Sequence, residues 1–276
     1  MSKLISAGFL RLRRDKIFWL LAAAMLVYAI AYMLNGCRMA SSEEMKDYVY
    51  HLDQFYFHYA LTIGLFSAVF TSLYLGTEYS DGAIRNRLII GHSRTHIYLS
   101  SLAISISATL LIMSAWLAGA LIGIPTLGFW HMGNYVYVYL LVSVLSAAAL
   151  SAIFTFIGML CPNKAMCAVA AIVLFLILMA IAFMLYNALS QPEFTDSIAL
   201  TADGMQFGDP VPNPSYVSGT KREVYQFMLD VLPTGQCIQI FDLSIAHPLR
   251  MIVSSISILA GVCICGICIF HKKNIR

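Results

Sequence analysis

The sequence predicts an all-α polytopic membrane protein with six transmembrane helices in a single domain, residues 1–276. Of the 276 residues, 60% are hydrophobic and only 11% are charged, whereas soluble domains usually contain about 25% charged residues. Several apolar stretches are long enough to cross a bilayer core of about 30 Å. They lack Asp, Glu, Lys and Arg, and they cover residues 17–34, 57–75, 97–124, 135–160, 165–189 and 251–270.

The placement of basic residues predicts that both termini lie in the cytoplasm. With that orientation, the inner segments hold the larger share of the 17 Lys and Arg residues, as the positive-inside rule requires. These inner cations are Lys3, Arg11, Arg13, Arg14, Lys16, Arg85, Arg87, Arg94, Lys164, Lys272, Lys273 and Arg276. The net charge of +3 is therefore a topology signal for a multi-pass protein of the cell membrane and does not indicate a nucleic-acid partner.

Residues 1–16 alternate apolar and basic side chains and predict an amphipathic helix on the inner leaflet, with the lipid bilayer as its partner. The cations expected at the membrane surface are Lys3, Arg11, Arg13, Arg14 and Lys16. A cleavable signal peptide is the alternative interpretation. The apolar run that follows is long for a signal core, which favours a retained span.

The segment between the first two spans predicts a short outer helix. Ser41 and Glu44 have the spacing of a capping box, and apolar residues then recur at helical intervals. Three possible metal ligands, His51, Asp53 and His58, follow closely in the sequence. Histidines beside aromatic residues are usually structural, so we favour a structural role over metal binding.

The fourth span contains a run of small residues, 146–152, which lets helix backbones approach closely. This run fits either close contact with another helix in the lipid or packing inside the bundle. Residues 161–164 join the fourth and fifth spans, and Pro162 ends the preceding helix. That connection is too short to present a docking helix.

Residues 190–249 form a large outer loop. We expect an irregular segment up to about residue 219, and then an amphipathic helix opened by a capping box at Thr220 and Glu223 and ended by Pro233. Residues 237–246 are apolar enough to dip into the outer leaflet. Cys37 and Cys237 both lie outside, and the sequence leaves open whether they form a disulfide.

Three further cysteines, Cys263, Cys265 and Cys268, lie on different faces of the last span. There they act as small hydrophobes rather than as metal ligands.

The loop of residues 77–97 holds the one dense polar cluster between two spans on the inner side. Ser80 and Asp81 are suited to cap a helix, and residues 83–90 then form about two turns with Ile84 and Leu88 on one stripe. Gly91 is suited to end this helix in a left-handed conformation. The sequence predicts a short amphipathic helix held across the ends of two membrane helices.

This loop reads Glu-x-x-x-Gly-x-Ile-Arg-Asn-x-Leu and then Gly-x-Ser-Arg, and it resembles the first cytosolic loop of ABC transporter permeases of the type-2 exporter class. In that class the loop is the coupling helix, which docks in a groove of a separate ATPase subunit. The residues that match the pattern are Glu78, Gly82, Ile84, Arg85, Asn86, Leu88, Gly91, Ser93 and Arg94. The alternative is a plain inner connector that carries only topogenic arginines.

The resemblance implies that a second copy or a homologous permease pairs with this chain, and that residues 1–16 correspond to the elbow helix of the class. We expect Ile84 and Leu88 to supply the apolar contact with the groove of the ATPase. Glu78 is expected to pair with Arg85 or Arg94 of its own loop, or with a basic residue of the ATPase.

The residues of the chain agree with a permease that neither couples to an ion gradient nor hydrolyses ATP itself. The spans contain no ionisable group except His58, whereas ion-driven transporters usually need one within the bilayer. The sequence contains no Gly-Lys-Ser/Thr phosphate loop, so ATP and Mg²⁺ are expected in the partner ATPase, and no catalytic residue, cofactor or metal is expected in this chain. The predicted function is export of an amphipathic or peptide-like substrate.

Two alternative functions belong to other classes. A non-transporting membrane sensor or anchor is one. The other is an intramembrane enzyme such as a serine protease, which would need a Ser and a His buried on facing helices. The sequence leaves open the substrate, the direction of transport, and the choice between a homodimer and a heterodimer.

Overall fold

The computed structural model describes residues 1–42, 49–201 and 204–273, and it is almost entirely helical. In chain order the helices are α1 (Ser2–Arg14), α2 (Lys16–Ala40), α3 (Leu52–Tyr56), α4 (Ala60–Ser80), α5 (Ala83–Ile89), α6 (Arg94–Ala120), α7 (Ile124–Leu127), α8 (Tyr135–Leu160), α9 (Lys164–Leu189), α10 (Gly219–Val231), α11 (Pro233–Phe241) and α12 (Pro248–Lys272). Two antiparallel strands, β1 (Phe194–Thr201) and β2 (Gly204–Pro212), form a hairpin between α9 and α10.

Six helical segments are long and apolar enough to cross a membrane, which confirms the predicted six-span layout. Helices α2, α8, α9 and α12 are single segments, whereas the second and third spans include short adjoining helices. These two composite spans are Leu52–Ser80, which includes α3 and α4, and Arg94–Leu127, which includes α6 and α7. The chain is therefore an all-α polytopic membrane protein.

Helices α4 and α8 lie at the centre of the bundle, where they are the most buried of the six spans. The small residues 146–152 on α8 are all buried within this chain, so the run packs inside the bundle. A Cβ added to Gly158 would lie 2.6 Å from a methyl carbon of Leu75 on α4. The small side chains therefore allow α8 to approach its neighbours closely.

Three buried hydroxyl groups join α4, α6 and α8 in the middle of this core. Thr109 Oγ1 lies 2.9 Å from Ser67 Oγ, Ser151 Oγ lies 2.8 Å from Thr109 Oγ1, and Ser67 Oγ lies 3.0 Å from Ser151 Oγ. All three residues are at most 1% exposed. Since each hydroxyl both donates and accepts, this hydroxyl triad satisfies its own hydrogen bonds without a charged group.

The region between α9 and α12 differs from the sequence prediction in three ways. Residues 194–201 and 204–212 form two paired strands rather than an irregular segment. Helix α10 starts at Gly219 with Ser218 at its N-cap and no side-chain cap, so the predicted capping role of Thr220 is wrong. Helix α11 is buried within the bundle, where it packs against α8 and α9, rather than lying against lipid alone.

The cysteines of the outer region are not bonded to each other. Cys37 is half-buried and free, and Cys237 on α11 is buried and free. Ser41 follows the end of α2 directly, whereas its predicted capping-box partner Glu44 lies outside the described residues. Of the helix predicted to run into the second span, the described part is helical from Leu52 onward, as α3.

Candidate functional site

The 77–97 loop folds as a helix between two sharp turns. Helix α4 ends at Ser80, and Gly82 takes a left-handed conformation (φ 69°) at the N-cap of α5. Gly91 ends the second turn with φ 94°, a conformation that costs glycine little. Ser93 caps α6 by accepting a hydrogen bond from the His96 amide at 3.3 Å. The predicted short helix, the role of Gly91 and the cap at Ser93 are confirmed.

The predicted helix-capping role of Ser80 and Asp81 is wrong. Ser80 belongs to the last turn of α4, and its hydroxyl donates to the Gly76 carbonyl at 3.0 Å. Asp81 follows α4, and its carboxylate accepts a hydrogen bond from Arg11 at 3.3 Å. Ser80 and Asp81 therefore do not cap α5: Ser80 bonds the last turn of α4, and Asp81 binds Arg11 of α1.

Glu78 is a buried carboxylate shared by two arginines. It is 1% exposed and lies in the last turn of α4. Arg87 of α5 donates to both carboxylate oxygens, from Nη2 to Oε1 at 2.6 Å and from Nη1 to Oε2 at 3.1 Å. Arg11 of α1 donates to Oε1 at 3.4 Å. The expected pairing with Arg85 or Arg94 is therefore wrong, because the carboxylate is satisfied by Arg87 and Arg11.

The N-terminal helix is part of the same cluster. Helix α1 lays Leu4, Gly8 and Leu12 against the bundle, where all three are buried. Arg11 binds Glu78 and Asp81, and its guanidinium lies 5.5 Å from the ring centre of Tyr74. The prediction that Arg11 binds lipid headgroups is therefore wrong, because its guanidinium pairs with two carboxylates of the chain. The other predicted surface cations, Lys3, Arg13, Arg14 and Lys16, are exposed.

The predicted apolar stripe of α5 packs against the helix bundle of its own chain. Ile84 is fully buried in this chain, and Leu88 is half-buried against the core. The expectation that Ile84 enters a partner is therefore wrong. Four residues face outward instead and form what we call the α5 tip surface: Arg85, Asn86, Ile89 and Ile90. Ile89 and Ile90 are 74% and 76% exposed.

The remaining predicted cation of the loop, Arg94, holds the end of the last span. Its Nη1 donates to the carbonyls of Phe270 at 3.0 Å and His271 at 3.1 Å, and also to that of Lys273. These carbonyls belong to the last turn and the C-cap of α12, where helices lack intrahelical donors and carry partial negative charge. Arg94 therefore ties the start of α6 to the end of α12.

Lys273 forms a second tie at the same end of the bundle. Its Nζ donates to the carbonyls of Met159 at 2.9 Å and Leu160 at 3.0 Å, at the end of α8, and to the Tyr79 hydroxyl at 3.2 Å. Burial lowers the pKa of the Lys273 ammonium. Four helix ends thus meet around the 77–97 loop, those of α4, α6, α8 and α12.

The possible metal ligands at the start of the second span take part in separate contacts. Asp53 accepts hydrogen bonds from the amides of His131 and Met132 at 2.8 and 2.9 Å. His51 stacks on His131 with ring centres 4.4 Å apart. His58 Nε2 lies 2.7 Å from the Tyr28 hydroxyl. Each of these three side chains contacts a partner within the chain.

The sequence also matches a known protein family. Residues 4–180 match the family model described as ABC-2 family transporter protein. The match covers most of α1, the whole 77–97 loop and the spans up to most of α9, and it includes well over half of the chain. A search among curated proteins gives no match. This chain belongs to the ABC-2 transporter family, as a multi-pass membrane permease.

Proposed function

We propose that this chain is the membrane subunit of an ATP-driven exporter whose ATPase is a separate protein that binds ATP and Mg²⁺. The ATPase docks on the α5 tip surface, on the cytoplasmic side. A second copy of the chain or a homologous permease completes the pathway. The cargo is amphipathic or peptide-like, which agrees with spans that hold no carboxylate or Lys/Arg within their central sections.

The inner-face position of α5 rests on the contacts between both ends of the chain and the loop. Arg11 near the N-terminus binds Asp81, and Arg94 binds the backbone at Lys273. Helix α1, helix α5 and the end of α12 therefore lie at one end of the bundle. The excess of Lys and Arg there supports a cytoplasmic location for that end.

The observation that carries the proposal is the pair of adjacent isoleucines on the α5 tip surface. Each is about three-quarters exposed, although they lie beyond the ends of the spans. Burying such a side chain in a partner contributes about 1.5–3 kcal/mol. Arg85 beside them is exposed and suited to steer a partner electrostatically. This surface is therefore shaped for a protein contact.

The buried ion pair between Glu78 and Arg87 is suited to transmit a displacement of α5 to the membrane-spanning helices. Arg87 fixes α5 to Glu78 at the end of α4, and α4 lies at the bundle centre. Arg11 connects the same carboxylate to α1. A displacement of the α5 tip surface is thus transmitted to α4 and α1, because the two-bond pair resists rotation of α5.

The test compares two exposed apolar residues at opposite ends of the bundle. Ile90→Asp places a carboxylate in the docking surface, and Phe129→Asp changes an outer-loop residue that is 72% exposed. With the candidate ATPase co-expressed, we expect Ile90→Asp to lose co-purified ATPase and ATP-driven export from vesicles, with an unchanged unfolding midpoint. Phe129→Asp should retain both. Retention of the ATPase by Ile90→Asp would place the docking surface elsewhere.

A further inference from the structure

An open recess lies at the far end of the bundle, between α10 and the first turn of α12. The other end of α12 meets Arg94 beside the 77–97 loop. Since α12 has 25 residues and rises about 1.5 Å per residue, the recess lies a membrane thickness away from α5. Its volume is about 770 Å³, within the range of small-molecule sites. It is lined by Gly219, Arg222, Glu223, Val224, Gln226, Phe227, His247 and Arg250.

A buried carboxylate holds the polar wall of the recess in place. Asp230 is 0% exposed, and its Oδ1 accepts hydrogen bonds from Gln226 at 2.8 Å and Gln239 at 3.1 Å. Its Oδ2 accepts from Arg250 Nη1 at 3.0 Å and lies 3.1 Å from His247 Nδ1. One nitrogen of Arg250 is thereby fixed. The remaining donors of that guanidinium are available to a ligand, because the side chain is 40% exposed and lines the recess.

The other charges of the recess have no partner of opposite sign in the described part of the chain. Arg222 donates only to backbone carbonyls, those of Leu189 at 3.0 Å and Val217 at 3.4 Å. Glu223 is exposed and forms no ion pair with any described residue. Because Asp230 already offsets Arg250, the recess presents one free positive and one free negative group. A ligand that carries both signs of charge complements it.

Apolar surface continues from the recess along the membrane helix. Val224 and Phe227 are 48% and 53% exposed on the recess wall. Leu249, Val253 and Ile256 follow on α12 at helical spacing and are 78%, 61% and 49% exposed. Since α12 is a membrane-length helix, its first turn lies at the level of lipid headgroups. The recess therefore opens onto a surface suited to a hydrocarbon chain.

We propose that this recess binds a glycerophospholipid with a zwitterionic headgroup. The phosphate is bound by Arg222 and by the free donors of Arg250, and the ammonium group is bound by Glu223. The acyl chains lie along the exposed apolar face of α12. This site is independent of ATPase docking, because it lies at the opposite end of the bundle.

The test uses native mass spectrometry of the purified, delipidated full-length chain. The probes are phosphatidylethanolamine, phosphatidylglycerol and diacylglycerol at equal concentrations. We expect retention in that order, because diacylglycerol lacks the phosphate and phosphatidylglycerol lacks the ammonium group. Inorganic phosphate in large excess should not displace the lipid. Displacement by phosphate would identify a site for a soluble phosphate compound, and equal retention of diacylglycerol would show that the polar wall binds nothing.

Variants assign the bound lipid to the recess. Glu223→Gln should remove the preference for phosphatidylethanolamine over phosphatidylglycerol, and Arg222→Gln should weaken binding of both roughly tenfold, as expected for loss of a charged hydrogen bond. Lys221→Gln is the matched control, because Lys221 is exposed on the same helix and does not line the recess. Unfolding midpoints verify folding, and the Glu223→Gln selectivity decides the outcome if Arg222→Gln is unstable. Unchanged selectivity in Glu223→Gln would overturn the proposal.

Discussion

Glu78 and Arg87 face each other through two hydrogen bonds, 2.6 and 3.1 Å long, although they lie nine positions apart in the chain on either side of a left-handed glycine. The carboxylate lies in the last turn of α4, and the guanidinium lies in the last turn of α5. This pair fixes how α5 sits on the bundle, and with it which residues of α5 remain exposed.

Replacing Glu78 by Gln should uncouple the permease without releasing its ATPase. The two arginines would lose their charged acceptor, which we expect to cost about 1.5–3 kcal/mol of unfolding free energy. Buried Ile84 would still hold α5 against the bundle with the α5 tip surface exposed, so the ATPase should still co-purify while ATP-driven export falls. Asp81→Asn is the control: that carboxylate is 59% exposed, and exposed pairs contribute at most about 1 kcal/mol. Normal export by Glu78→Gln would exclude a role for this pair in coupling.

Two isoleucines of α5 should differ sharply when truncated to alanine. Ile84 is fully buried and Ile89 is 74% exposed. Ile84→Ala should lower the unfolding free energy by about 2–5 kcal/mol, whereas Ile89→Ala should stay within about 0.5 kcal/mol of the wild type. Denaturation of the purified chain in detergent measures both. Equal losses would mean that α5 does not pack as described.

The hydroxyl triad should behave as a unit. Ser67→Ala and Ser151→Ala should each cost about 0.6 kcal/mol and at most about 1.7 kcal/mol, the range found for hydrogen bonds between membrane helices. The double variant should cost less than the sum, because the two hydroxyls bond each other. Ser114→Ala is the control, since Ser114 is exposed and bonds only its own helix. Additive losses would show that the three hydroxyls act independently.

Accessibility of single cysteines should confirm the orientation of the bundle. Ser2, Ser80 and Ser215 are exposed and serve as positions for cysteines in a background without the native ones. A membrane-impermeant maleimide should label position 215 in intact cells, and positions 2 and 80 only after the cytoplasmic side is opened. Labelling at position 80 in intact cells would reverse the topology and remove α5 from the reach of a cytoplasmic ATPase.

The spans could be predicted from sequence because a bilayer admits only long apolar helices with internal hydrogen bonds. The end of α5 was also predictable, since Gly91 is suited to end a helix in a left-handed conformation. The sequence attributes its start to caps at Ser80 and Asp81, whereas the left-handed turn at Gly82 sets it. Which face of α5 is buried was not predictable. A short amphipathic helix has one apolar stripe, and the sequence alone does not say whether that stripe meets its own bundle or a partner.

The partner of Glu78 was equally hidden from the sequence. Arg85, Arg87 and Arg94 all lie near it along the chain, and the left-handed turn at Gly82 decides that Arg87 reaches it. Arg11 lies 67 residues away and gives no local signal. The Asp230 cluster combines side chains of α10, α11 and α12 and their connections, so only the packing of these helices reveals it.

The shared carboxylate also constrains the order in which the chain is assembled. Arg11 emerges from the ribosome 67 residues before Glu78, which corresponds to a delay on the order of seconds at typical synthesis rates. During that interval α1 lacks its buried partner, and only after the second span has been inserted does the carboxylate arrive. Arg87 follows almost at once and binds the same group. The cluster of Arg11, Glu78 and Arg87 is therefore complete only once α5 has been synthesised, and α1, the first helix made, waits for the second span before its buried ion pair forms.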